Sequence, residues 1–139
     1  MNPQFYCVLS GFLGIIPFYT WFYKNIIISL LILSSTWFTV LQHMCETLGS
    51  YEPYLQYNPT LYLFLDRCSA VLLAVVMVCT LRHNILESKY ILIVSFALLF
   101  VCDCGLITYE YYYAYTHSLW HICIWYYLYL RSELYILKN

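Results

Sequence analysis

The chain is predicted to be all-α, a polytopic membrane bundle of about five transmembrane helices, and three observations lead there. Hydrophobic residues make up 63% of the sequence and charged residues 9%, which leaves too little polar surface to coat a water-soluble globule. Apolar stretches approaching the roughly 20 residues a spanning helix needs recur along the whole length. The 17 tyrosines, many of them in 109–115 and 126–135, supply aromatic belts of the kind that mark membrane–water interfaces. The net charge is −1 with no block of like charges, so nucleic acid is excluded as a partner and the lipid bilayer takes its place.

The spans are read at about 5–23, 26–45, 60–81, 90–108 and 112–130, in a single bundle occupying residues 1–139. The first carries Gly11, Gly14 and Pro17, which membrane helices tolerate where neighbours cover the exposed backbone, so a kink is expected there. Met1-Asn2-Pro3-Gln4 has no basic n-region and no small-x-small site follows, so this segment is expected to stay rather than leave as a signal peptide. The connections are short except 46–59, whose Gly49, Pro53 and Pro59 carry turn chemistry. Asn58-Pro59-Thr60 is no glycosylation acceptor, because proline holds its middle position. Trp37, Trp120 and Trp125 read as packing and interface residues.

Orientation follows from the cations. Lys24 lies between the first two spans, Arg82 and Lys89 between the third and fourth, and Arg131 and Lys138 after the fifth. Only Arg67 falls inside a span. The positive-inside rule makes that side cytoplasmic, with the N-terminus outside or luminal, the C-terminus cytoplasmic, and Glu46, Glu52 and Glu110 in the outer loops. The result is a multi-pass integral protein of the plasma membrane or an endomembrane.

This topology brings four ionisable residues to one depth. His43 ends the second span on the outer side, Asp66 lies about two turns inside the third, and His117 and His121 occupy the outer half of the fifth. Each such group costs at least about 2.5–3.5 kcal/mol at a helix centre, so a shared depth points to a shared site. His117 and His121 are four positions apart and project from one helix face, the spacing used by zinc sites that take two ligands from one helix. With His43 as the third ligand, the set matches a catalytic zinc site of three imidazoles and an open position, where bound water ionises near about pH 7. Asp66 would hold or deprotonate that water, or orient a ligand. Ser35, Thr39 and His43 continue a polar stripe at four-residue spacing, whose alternative reading is hydroxyls bonded to their own helix carbonyls.

The stretches His43-Met44-Cys45-Glu46, Leu65-Asp66 followed by Ser69-Ala70, and Tyr112-Tyr113-Ala114-Tyr115-Thr116-His117-Ser118-Leu119-Trp120-His121 resemble the CREST superfamily of membrane hydrolases. Alkaline ceramidases, progestin and adiponectin receptors, the Per1 family and the myomaker group belong to it, and the last of these looks most similar. The resemblance implies zinc held by His43, His117 and His121, with Asp66 assisting the water. It implies a membrane lipid substrate cleaved at an ester or amide bond near the outer or luminal leaflet. Thr39 stands where the superfamily often has serine, and its hydroxyl is a candidate oxyanion donor. Members have seven spans, whereas the stretch from Tyr90 to the histidine pair holds one where three would be expected. Losing an even number keeps every motif on its own side but removes part of the wall around a lipid, which a homo-oligomer would replace. Two other readings stay open: a structural zinc site in a myomaker-like membrane-remodelling or fusion protein, and a degenerate scaffold.

Seven cysteines show no zinc-ribbon spacing and read as small buried residues, although Cys45 lies where a disulfide with Cys104 or Cys102 is open to it. Arg67 is expected to pair with Asp103 or Glu46 or to snorkel outward, Asp103 to meet the interface or serve as a further acid, and His83 to be solvated.

Overall fold

The computed structural model describes residues 3–48, 59–81, 89–103 and 110–136, all of them in helices or the tight turns between helices. The elements are α1 (Gln4–Phe12), α2 (Ile15–Phe22), α3 (Ile26–Leu48), α4 (Pro59–Leu81), α5 (Lys89–Asp103) and α6 (Glu110–Ile136). Readings that fall on Gly49, Glu52, Pro53, Asn58, Arg82, His83, Cys104, Tyr109 and Lys138 lie outside the described residues, as do those on the side chains of Asp103 and Glu110.

Among the described residues, three stretches are long and apolar enough to cross a membrane: Gln4–Phe22, Ile26–Thr47 and Thr60–Thr80. The fourth apolar helix, Lys89–Cys102, is shorter. The fifth expected span lies inside α6, whose 27 residues exceed the length required. Its tyrosines, histidines and charges hold it below the hydropathy of the others. The protein is therefore a membrane-type helical bundle with three to four apolar spanning candidates.

The expected kink in the first span is a break after Phe12. Leu13, Gly14 and Ile16 donate to Ser10, Gly11 and Leu13, three residues back, and Phe18 restores the four-residue step to Gly14. Pro17 has no N–H to offer the Leu13 carbonyl, so the tightened bond from Ile16 takes that acceptor. Gly14 lies where α2 meets both α3 and α6. A Cβ there would enter the van der Waals shell of Thr36 Oγ1 and stand 3.1 Å from Trp125 Cε2.

Helices α1 and α2 pack on both α3 and α6, α4 packs on α3, and α5 packs on α6. The bundle is thus an arc in the order α4, α3, α1 with α2, α6, α5. Its core joins Trp21, Ile28, Ile32, Leu73, Met77, Trp125, Tyr127 and Leu128. Trp21 Nε1 donates to the Leu128 carbonyl at 2.9 Å, and Lys24 Nζ reaches the Ser132 carbonyl at 2.8 Å, fastening α2 to the far half of α6. Exposed apolar side chains such as Phe64, Leu72, Val75 and Phe100 suit contact with hydrocarbon.

Several expectations need correction. Arg131 does not follow the last helix: α6 continues to Ile136, and Arg131 is buried within it. Glu46 is not in a loop, because α3 runs on to Leu48 and carries it. Cys68 and Cys79 are exposed on the apolar outer face of α4 rather than buried. Cys45 and Cys102 are buried free thiols, so no disulfide joins them. Arg67 is exposed, in keeping with an outward-reaching side chain.

Candidate metal centre

The centre is built by two helices. α3 supplies His43 and α6 supplies His117 and His121, one turn apart on the same face. All three are buried, and their ring centroids stand 4.9 Å (His43–His117), 5.3 Å (His43–His121) and 4.7 Å (His117–His121) apart. One ring nitrogen from each lies within 4.8 Å of the others. The sequence reading required this convergence, and the structure places all three rings together.

The donor set fits a metal ion. His117 Nδ1 and His121 Nε2 are buried with no hydrogen-bond partner. An unsatisfied buried polar atom costs about 1–3 kcal/mol, so two of them in one cluster call for something to bind. Imidazole nitrogens sit about 2.0–2.1 Å from zinc, so nitrogens bound to one ion lie within about 4.2 Å of one another, close to the separation here. The buried cluster can therefore hold a metal ion.

Surrounding groups hold the rings in place. Tyr113 stacks on His117 with centroids 5.2 Å apart, and Trp120 lies edge-on to His117 and against His121. His43 Nδ1 lies 2.8 Å from Glu46 Oε2, and Gln42 Nε2 donates to Glu46 Oε1 at 2.8 Å. Ser10 Oγ, from α1, lies 2.9 Å from His121 Nδ1. Sequence reasoning missed Ser10, Gln42 and Glu46 as parts of the site. The run Gln42-His43-x-x-Glu46 held a local signal, since positions three and four apart share a helix face. Ser10 held none, being 111 positions from its histidine.

Asp66 and Thr39 stand beside the cluster. Asp66 is not one of the three groups that close on a common point. Thr39 Oγ1, one turn before His43, donates to Asp66 Oδ1 and joins α3 to α4. That bond also settles the polar stripe at this position: the hydroxyl reaches across to the neighbouring helix instead of back to its own. Ser35, Thr39, Asp66 and Ser95 line a cavity of about 300 Å³ together with apolar side chains such as Met77, Leu92 and Leu128. The cavity occupies the inside of the arc, between α4 and α5.

No protein-family model matches the chain, and no curated protein or solved structure is significantly similar to it.

Proposed function

We propose that this protein is a zinc-dependent hydrolase of membrane lipids, a shortened five-span member of the CREST superfamily acting on an ester or amide bond near the outer or luminal leaflet. One observation carries the reading: Asp66, hydrogen-bonded to Thr39 one helical turn before the buried ligand candidate His43, lines a largely apolar cavity. A few polar groups in a largely apolar lining suit a lipid whose reacting bond lies beside its chain.

Zinc held by His43, His117 and His121 would polarise the carbonyl and make water nucleophilic near neutral pH. The chain's own residues supply the remainder. Asp66 is the general base that takes the proton of the attacking water, and a return of that proton to the leaving group completes hydrolysis. Thr39 spends its one hydroxyl hydrogen on Asp66, which orients the carboxylate in the resting site. Its service as an oxyanion donor needs that hydrogen to swing toward the substrate carbonyl. The apolar cavity excludes water from everything except the reacting end.

A second reading has its own support. α1 and α2 separate much of α3 from α6, and the histidines reach across between those two helices. A structural zinc would staple them in a myomaker-like remodelling or fusion protein. Asp66→Asn decides between the readings. The hydrolase loses about 10²–10⁴-fold in lipid turnover and keeps its zinc, whereas the staple shows no turnover to lose and unchanged zinc. The assay incubates purified protein with defined ceramides, lysophospholipids and glycosylphosphatidylinositols and reads the products by mass spectrometry.

Orientation has a separate check. With the basic residues cytoplasmic, a Glu52→Cys variant at the plasma membrane is expected to react with an impermeant maleimide in intact cells. In an endomembrane it reacts only after the organelle is opened, and reaction after selective plasma-membrane permeabilisation alone reverses the topology.

A further inference from the structure

We infer that Ser10 and Glu46 are positioning residues for the metal, which set the tautomers of His121 and His43 so that Nε2 of each ring faces the site. The inference rests on the zinc reading above and assigns two groups outside the ligand set.

For His43 the partner decides the proton. An ionised carboxylate only accepts, and Glu46 Oε2 lies 2.8 Å from His43 Nδ1. Nδ1 therefore carries the hydrogen and Nε2 the lone pair. Gln42 Nε2 donates to the other carboxylate oxygen at 2.8 Å, which holds the Glu46 plane toward the ring.

For His121 the hydrogen count decides. Ser10 Oγ lies 3.0 Å from the Cys7 carbonyl oxygen and 2.9 Å from His121 Nδ1. A carbonyl cannot donate, so the single Ser10 hydrogen goes to Cys7 and the Ser10 lone pair receives Nδ1–H. The lone pair of His121 is left on Nε2, the atom that is buried with no partner. Outer partners of this kind fix the ring orientation and raise the basicity of metal-ligating histidines.

Ser10 makes α1 part of the centre although that helix holds no ligand. Its reach depends on close packing: a Cβ on Gly11 would stand 3.3 Å from both Thr39 Cγ2 and Val40 Cγ2, tighter than ordinary contact. The N-terminal helix is thereby seated against α3 while its serine meets α6.

The experiment titrates the purified full-length chain with zinc against a chromophoric chelator, and reads imidazole tautomers of the metal-free protein by long-range ¹H–¹⁵N correlation. Ser10→Ala and Glu46→Ala are expected to weaken zinc binding by about 10–100-fold and to convert the affected ring from the Nδ1–H form to a tautomer mixture. Ser10→Thr and Glu46→Gln retain an acceptor and are expected to recover most of the affinity and the Nδ1–H signal. Ser34→Ala, which removes a similar intrahelical hydroxyl bonded to Leu31 at 3.0 Å, is expected to change neither. An alanine variant that keeps wild-type affinity, or loses affinity with an unchanged tautomer, removes that residue from the role while the metal site stands. A wild-type chain that takes up no zinc overturns the metal site and this inference together.

Discussion

Replacing His121 with alanine is expected to empty the metal centre and remove the zinc-dependent part of the protein's stability. Two imidazoles cannot hold zinc as three do, and losing a ligand should exceed the roughly 10–100-fold loss that follows removal of an outer-shell partner. Wild-type protein should purify with about one zinc per chain, and His121→Ala or His117→Ala with none. A ligand that binds only the folded state stabilises it by about 4 kcal/mol at a thousand times its dissociation constant. Thermal unfolding in detergent should therefore shift upward on adding zinc to the wild type and stay fixed for either variant. The comparison matters because His121 is only 1% exposed. Its truncation also leaves a cavity that lowers the melting point without reference to any metal. The zinc-dependent increment separates the two effects, and stoichiometric zinc retained by both variants would falsify the centre.

The second large effect is expected at Gly14. Gly14 is the N-cap of α2 and has right-handed helical torsions, so its backbone conformation does not bar alanine. Here the added methyl would run into Thr36 Oγ1 and press on Trp125, and overpacking of this kind costs about 1–3 kcal/mol or more. Thr36 is β-branched and stiff at χ1, so it cannot swing clear as a long side chain would. Gly14→Ala should consequently lower stability. Thr36 Oγ1 is buried without a partner, so Thr36→Ala removes the obstacle without breaking a hydrogen bond. The double variant should recover much of the loss. Chemical or thermal unfolding of the four proteins in one detergent gives the coupling between the sites, and a cycle with no coupling would show that the two helices do not meet at this point.

Much of the site was legible in sequence because helices convert spacing into geometry. Two histidines four apart share a face whatever surrounds them, and a membrane makes any ionisable group conspicuous. His43, His117 and His121 could be collected from patterns of charge and hydropathy, and the structure brings them together. Asp66 and Thr39 are legible as polar groups at the depth of the histidines, but the hydrogen bond between them is not. It depends on how α3 lies against α4, and no local pattern records that. Whether Cys45 meets Cys102 turns on the same point, since spacing along the chain does not say how two helix ends approach; both are free thiols.

The spans were harder to delimit than the site. Hydropathy locates the apolar stretches but puts Glu46 beyond the second helix and Arg131 beyond the last, because a charged residue lowers hydropathy without ending a helix. The helices continue: Glu46 finds partners in His43 and Gln42, and Arg131 is enclosed within the bundle. Proline and glycine signalled a kink in the first span, whereas its place at residues 13–14 follows from which carbonyl Pro17 leaves for Ile16.

By itself the sequence determined that this protein is helical and suited to a membrane, and that three histidines and an aspartate are its unusual residues. Those are consequences of composition and of a fixed 3.6-residue turn, which act over one helix at a time. Only the tertiary structure decided that α1 delivers Ser10 to His121 and that Asp66 lines a largely apolar cavity. Contacts between helices depend on side-chain fit across distant segments, as where the missing Cβ of Gly14 lets three helices meet.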